Sequence, residues 1–364
     1  MLPLTAPLVD VIIPVHSTRR PVDRAVASVL RGGLPVAEQG GVRLTVVCHN
    51  IEADRIGAVL AAPHRPLAGL LECFDGTGNP AGARNLALDR STARYVAFLD
   101  SDDTLAPGAL AAWTAVAERR GSDAVLPRLV TDTGRTVRTP VPRPLRRAAL
   151  DPVRDRLAYR THAFGLLRRD ALLRHGARFD GRYTTGEDQE LVARTWFGGG
   201  RIDLAPRGAG YVLHEGAADR ISGTARPVRE ELAAFAGLLG GGWFAGLPAA
   251  QRTAIAVKVV RVQLFGAVRA CSAAGRWTEE DARACRELLG LVRTLAPGAF
   301  SVLSRADRDL LDLLERPGVP AGALDAASVA RRRFGRPATL LTRDPRTILR
   351  RDAPLRFMAA SLLV

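Results

Sequence analysis

Apolar residues in the first part of the chain alternate between two rhythms. "LVDVIIPV" (8–15) is a short run rich in Val and Ile and reads as a strand. "PVDRAVASVLRGG" (21–33) places Val22, Val26, Val29 and Leu30 at helical spacing and stops at Gly32 and Gly33. "VRLTVVCHN" (42–50) reads as a second strand, "EADRIGAVLAA" (52–62) as a second helix and "LAGLLECF" (67–74) as a third strand. "GARNLALDRS" (82–91) is helical, "YVAFLD" (95–100) strand-like, and "PGALAAWTAVAERRG" (107–121) helical again. Repeated strand–helix units predict an α/β fold, a mostly parallel sheet between helices. Ligands of such sheets sit beyond the carboxyl ends of the strands.

The next stretch is less regular. "DAVLPRLVTDTGRTVRTPVPRP" (123–144) is strand-like and then proline-rich, and "THAFGLLRRDALLRHG" (161–176) runs from strand into helix. "GRYTTGEDQELVARTWFGGG" (181–200) is a turn and a helix, and "RIDLAPRGAGYVLHEG" (201–216) holds two short strands. After about residue 225 only helical periodicity remains. The expected organisation is therefore an α/β domain over 1–225 and a helical C-terminal domain or tail over 226–364.

Composition refines this. The chain has 364 residues, 47% hydrophobic and 24% charged, as in an ordinary globular protein. Its net charge is +15, almost all of it arginine, since Lys258 is the only lysine. That bias points in part to genome composition and lowers the weight of any single arginine. The remaining excess suits an anionic partner: nucleotide phosphates, an acidic lipid surface or nucleic acid. The arginines are dispersed without interleaved aromatics, so no specific nucleic acid is expected. Cys48, Cys73, Cys271 and Cys285 form no CxxC pair, so no zinc site is expected; two lie in apolar strand-like runs and read as small core residues, and the pattern fits a reducing compartment. The first apolar run contains Asp10 and lacks a basic leader. The longest uncharged run, Leu232 to Ala250, is broken by glycines and Pro248 and reads as a buried helix and turn. A cytoplasmic location is expected. The basic, amphipathic end ("RRRFGRPATLLTRDPRTILRRDAPLRFMAASLLV") has two readings: a solvated helical surface, or peripheral contact with anionic lipids at the inner face of the membrane.

The chemistry gathers around "YVAFLDSDD", where an apolar strand ends in Asp100, Asp102 and Asp103. Such a cluster can cap a helix, form a solvated turn, or hold a divalent cation that prefers carboxylate oxygens. Upstream, "GNPAGARNLAL" offers Gly78 and Gly82 for close backbone approach, free N–H groups at a helix start, and Arg84 as a cation suited to a diphosphate. An exposed helix arginine is its ordinary reading. Downstream, "TTGEDQEL" sets Glu187 and Asp188 after a turn at Gly186. They read either as acidic residues of a first helical turn capped by Thr184 or Thr185, or as a general base at a site mouth. "YVLHEG" adds His214, a possible nitrogen ligand.

These pieces in this order resemble the family-2 inverting glycosyltransferases of the GT-A fold, over about residues 8–225. The middle piece, "GNPAGARNLALDRSTARYVAFLDSDD", is the most specific. The resemblance implies transfer of a sugar from a nucleotide-sugar donor to an acceptor hydroxyl, with manganese or magnesium as cofactor. The acceptor class it leaves open: glycan, lipid-linked or small molecule. By position, Pro14, Val15 and His16 would line the nucleotide pocket, with Arg84 nearby and Asp100 at the ribose. Asp102, with Asp103 close by, would hold the metal, and His214 would lie near it. Asp188 would be the base with Glu187 beside it, and Arg220 and Ser222 would be near the leaving group. The family often has Tyr-Asn after the first strand and Asp-Asp-Gly-Ser after the second. Here stand His16-Ser17 and "VVCHNIEAD", so His49 or Asn50 becomes the candidate contact to the base. The QxxRW motif of processive synthases is missing, which favours single or short-chain addition. The altered second strand also motivates an alternative: a catalytically inactive nucleotide-binding protein on the same scaffold.

Overall fold

The computed structural model describes residues 6–37, 39–137, 143, 146–216 and 226–361. The chain forms two compact units. The first comprises Met1–Thr139, Arg147–Leu150 and Thr161–Asp219, and the second Pro140–Arg146, Asp151–Arg160 and Arg220–Val364.

In the first unit the Val/Ile-rich runs become β1 (Val9–Val15), β2 (Val42–His49), β3 (Ala68–Cys73) and β4 (Tyr95–Phe98). They are followed by β5 (Thr104–Leu105), β6 (Ala124–Leu126), β7 (Leu129–Thr131), β8 (Leu166–Arg168), β9 (Ile202–Leu204) and β10 (Tyr211–Leu213). The helices are α1 (Val22–Leu30), α2 (Ala53–Gly57), α3 (Ala81–Arg90), α4 (Ala109–Arg120), α5 (Arg169–Arg174) and α6 (Gln189–Phe197). The main sheet has the order β3-β2-β1-β4-β8-β6-β9. β1 is parallel to β2 and β4, β2 to β3, and β6 to β9; only β8 runs against its neighbours. β1 is buried along its whole length, as expected of a central strand covered on both faces. Parallel pairing matches Val15 with Cys48 and His49 with Cys73. The carboxyl ends of β1, β2, β3 and β4 therefore share one edge. A small second sheet, β5-β10-β7, lies beyond β4 in sequence and brings Leu213 level with Thr131.

The strand direction of β8 and the small sheet are absent from the sequence reading, because pieces of two or three residues carry no readable period. The second helix is shorter than the 52–62 expected. The backbone N–H of Ala61 donates to Asp23 in α1 (2.8 Å) instead of continuing the helix.

The second unit is helical: α7 (Val228–Gly240), α8 (Gly242–Ala245), α9 (Ala249–Lys258), α10 (Phe265–Ala273), α11 (Glu279–Leu295), α12 (Gly298–Ser301), α13 (Arg305–Leu314), α14 (Ala321–Ala330), α15 (Pro337–Leu340) and α16 (Pro354–Ser361). A π-helical turn, Val259–Leu264, joins α9 to α10. Thr278 and Asp281 close a reciprocal cap at the start of α11, and Ser304 and Asp307 do the same for α13. Asp281 also accepts the N–H of Val228 (3.0 Å), tying α7 to α11. No helix among the described residues is long and apolar enough to cross a membrane.

Candidate functional site

At the carboxyl edge of the main sheet a buried arginine joins the end of β4 to the loop before α6. Arg84 sits one turn into α3, on the face that also buries Ala81, Ala87 and Leu88. Its guanidinium donates to Asp100 Oδ1 (2.6 Å) after β4 and to Glu187 Oε1 (3.0 Å) before α6. It also lies over the Phe179 ring, 5.1 Å from the centroid. Burial alone disfavours the charged form, but Asp100, Glu187 and Asp188 outweigh it and keep the guanidinium protonated. Two pieces that are far apart in sequence thus share one counter-charge.

The three aspartates after β4 divide. Asp100 pairs with Arg84, and its N–H donates to the Tyr211 hydroxyl (3.0 Å). Asp102 receives Arg20 Nη1 on Oδ2 (2.6 Å), while Arg24 Nη2 donates to its carbonyl (2.5 Å). Asp103 is buried and accepts the backbone N–H of His214 (2.9 Å). Burial pushes Asp103 up to about 7; the His214 bond opposes this and the charges of Asp100 and Asp102 add to it. None of the three caps a helix, since the N-cap of α4 is Gly108. Arginines therefore offset much of the charge that the sequence reading left to a cation.

His214 has both ring nitrogens engaged: Nε2 with Thr104 Oγ1 (3.0 Å) and Nδ1 with Asp132 (3.4 Å). Burial and the nearby Arg24 charge lower its pKa against the pull of Asp132. Among the described residues no group of three or more His, Cys, Asp or Glu side chains is arranged to hold a metal ion. Asp103 and His214 do meet, but through the His214 backbone rather than its ring.

Asp188 is the N-cap residue of α6, after a turn in which Gly186 takes φ +80°. Its carboxylate does not cap the helix. Gln189 Nε2 donates to Oδ1 (2.8 Å), and His162 Nδ1 lies 3.4 Å from Oδ2. Burial pushes its carboxyl up, but the His162 and Gln189 bonds and the Arg84 charge outweigh burial and hold it below the usual carboxylate range. Glu187 goes the other way: burial and repulsion from Asp188 raise it, against Arg84. Two adjacent carboxyls are thus driven apart, one ionised and one readier to hold a proton. His162 stacks on Phe164 (centroids 5.0 Å), which stacks on Tyr211 (4.0 Å). A ring stack thus runs from Asp188 to the Asp100–Asp103 turn.

At the β2 end, His49 Nε2 bonds Asp75 Oδ1 (2.8 Å). Asn50, at φ +54°, accepts the N–H groups of Asp75 (3.2 Å) and Gly76 (3.1 Å) and donates to Thr77 O (2.9 Å). Its amide is occupied in holding that loop. Asp75 is brought so close to α3 that a Cβ on Gly82 would stand 1.9 Å from Asp75 Oδ2. Gly82 is required for close approach, although what approaches is a side chain. Gly78 has no such neighbour. Asn85 clamps the backbone of Phe179 from both sides, accepting its N–H (3.1 Å) and donating to its carbonyl (2.8 Å). Pro14 and Val15 are buried at the end of β1 and His16 is exposed beyond it. Arg220 and Ser222 lie outside the described residues.

Sequence reasoning missed Arg20, Arg24, Asp75, His162 and Tyr211. An Asp after the third strand and "HSTRRP" after the first were visible signals for Asp75 and Arg20. Nothing local marked His162 or Tyr211.

A mostly parallel sheet with carboxylates and arginines gathered beyond its carboxyl edge is an arrangement found in the GT-A fold. Residues 10–176 match the model of glycosyl transferase family 2, somewhat less than half of the chain. The match includes Asp100, Asp102 and Asp103 but ends before Glu187, Asp188 and His214. The succinoglycan biosynthesis protein ExoO of Rhizobium meliloti (strain 1021) is 29% identical over 228 residues, 59% of this chain and 63% of that protein. The chain thus spans less than two thirds of that relative. Among solved structures, S. aureus TarS 1-349 in complex with UDP-GlcNAc superposes with a TM-score of 0.74 at 17% identity, covering 89% of this chain and 91% of TarS 1-349. Mannosyltransferase PcManGT from Pyrobaculum calidifontis, in complex with GDP-Man and Mn2+, gives 0.50 at 17% identity, covering 90% and 87%. At these identities the likeness is one of fold.

Proposed function

We propose that this protein is an inverting, metal-dependent glycosyltransferase. It moves a sugar from a nucleoside-diphosphate sugar to an acceptor hydroxyl of a glycan, a lipid-linked molecule or a small molecule. The observation that carries this reading is the Arg84 bridge, which ties the strand-end aspartate Asp100 to Glu187, the neighbour of Asp188. Asp188, held below the usual carboxylate range, is ionised at neutral pH and suited to accept a proton. It takes the proton of the acceptor O–H as that oxygen forms the bond to the anomeric carbon. The bond from that carbon to the diphosphate oxygen breaks on the opposite face, so one displacement inverts the centre. Glu187 stays beside the base as part of the Arg84 bridge. Pro14, Val15 and His16 line the nucleotide side, Asp100 meets the ribose, and Asp75 with His49 offers the base a hydrogen-bonding edge.

The residues fit a divalent cation by their donor chemistry. Asp102 and Asp103 supply hard carboxylate oxygens close together after β4. Such ions are commonly held by one or two carboxylates, with phosphates and water completing the shell, so a closed protein cage is not required. When bound, the cation neutralises charge on the departing diphosphate. PcManGT, with its nucleotide-sugar and Mn2+, supports this by analogy.

The test is a panel of UDP- and GDP-sugars with and without manganese. One donor should be slowly hydrolysed only with metal, and Asp188→Ala should abolish transfer while keeping donor binding. Full transfer by Asp188→Ala would sink the mechanism. A second reading, a non-catalytic nucleotide binder, is favoured by the Arg20–Asp102 pair, which occupies the leading metal ligand. Calorimetry showing donor binding without metal dependence or turnover would select it. We also propose a cytoplasmic protein with peripheral contact at the inner membrane face through its basic end.

A further inference from the structure

Within the helical unit there is a cavity of about 470 Å³ whose lining includes Arg252, Arg350, Arg351 and Arg356. Asp352 is the only acidic residue in that lining. It is already answered by the buried Arg156, 3.9 Å away, so the wall keeps a positive surplus. The surplus continues along the chain: residues 331–361 contain nine arginines and two aspartates.

The wall is held in place from within. Arg156 Nη2 donates to the carbonyl of Arg351 (2.9 Å), and Arg261 Nη1 to that of Asp352 (2.6 Å). Arg252 Nε donates to Leu295 O (2.6 Å) at the end of α11, and its Nη1 to the carbonyls of Ala245 (3.1 Å) and Leu247. Arg350 reaches Ser301 Oγ (3.1 Å) with one nitrogen. No hydrogen bond engages the Arg351 guanidinium among the described residues. The backbone is thus pre-organised, while the guanidinium forks of Arg350 and Arg351 keep donor capacity. Planar forks of this kind match phosphate oxygens two at a time.

The rim is apolar. Leu349 is 71% exposed and Leu355 36% exposed. Arg356 Nη1 donates to Leu349 O (3.2 Å), which fixes Leu349 beside the cationic wall. Cationic donors next to outward-facing leucines are the composition of a membrane-interface contact. A soluble anion would use the arginines and leave the leucines unexplained.

We propose that this pocket seats the phosphate of an anionic membrane phospholipid, with Leu349 and Leu355 entering the interface beside it. The proposal rests on the peripheral-contact reading above and not on the donor site. It is tested by sedimenting the full chain with phosphatidylcholine vesicles, with and without phosphatidylglycerol. Retention is expected only with phosphatidylglycerol. The double variant Arg350→Glu/Arg351→Glu should lose about tenfold or more in vesicle affinity. Leu349→Ser should lose several-fold. Arg351→Gln, which removes one charge without adding another, should fall between wild type and the double variant. Melting temperature reports whether each variant folds. Equal retention on phosphatidylcholine alone, or undiminished retention of a folded double variant, overturns the proposal. An Arg351-dependent thermal shift with inorganic phosphate, without vesicle retention, also overturns it and assigns the pocket to a soluble anion. Nucleotide-sugar binding, followed by calorimetry in the same samples, separates this outcome from a failure of the donor reading.

Discussion

In the α/β unit the buried arginines answer carboxylates. Arg84 spans Asp100 and Glu187, and Arg20 holds Asp102. In the helical unit two inward arginines answer backbone carbonyls instead: Arg252 reaches Leu295, Ala245 and Leu247, and Arg261 reaches Asp352 and Val302, while Arg156 and Arg331 pair with Asp352 and Asp307. In both places a planar fork with five donors satisfies several acceptors at once. What differs is the meaning. A carbonyl partner fixes a helix end, whereas a carboxylate partner stores charge where chemistry can draw on it. In a chain with a single lysine, counting arginines therefore locates no site. The identity of each partner does.

The comparison can be broken most directly at Arg84. Arg84→Ala leaves two half-buried carboxylates without their counter-charge. The expected loss is about 3–5 kcal/mol in denaturant unfolding, with loss of transfer. Arg84→Lys should recover little, because a point charge cannot span two carboxylates. Stability unchanged in Arg84→Ala would show that the bridge is incidental. Next comes Asp188→Asn. It should reduce kcat by about 10²–10⁴-fold with little change in melting temperature, which separates a chemical carboxylate from a structural one.

On the helical side, Arg252→Met should cost about 2 kcal/mol in unfolding free energy by leaving carbonyls unmatched, with donor hydrolysis unaltered. The smallest effect is expected from His162→Ala. The His162 bond helps to hold Asp188 below the ordinary carboxylate range, so its removal raises the Asp188 pKa. The acid limb of kcat/KM should then move to higher pH. The same sign governs stability. The contribution of the depressed Asp188 is present above its unfolded pKa and is lost as pH falls through its folded pKa. A limb that stays in place would remove His162 from the site.

Much of the first unit was legible. β1, β2, β3 and β4 announce themselves as short stretches rich in Val, Ile, Leu or Phe, and helical spacing marks α1, α3 and α4. The direction of β8 was not legible, because three residues have no pattern that distinguishes a parallel from an antiparallel partner. Nor was the interruption of the long helical stretch 251–275, where Val259–Leu264 winds as a π-helix within continuous helical periodicity. Thr184 and Thr185 were plausible caps for α6, but Asp188 took the N-cap position and its side chain turned to His162 and Gln189.

By itself the sequence determined the strand-and-helix alternation, the resemblance to family-2 glycosyltransferases, and the placing of Asp100, Asp102 and Asp103 at a strand end. These follow from local periodicity and from residues within one short stretch. Only the tertiary structure decided which charge each carboxylate meets. Arg84 and Glu187 are separated by more than a hundred positions, as are Asp100 and Tyr211. Burial and Coulomb interaction depend on distance in space, and it is those distances that hold the Asp188 carboxyl low, raise Asp103 and draw Asp75 against Gly82.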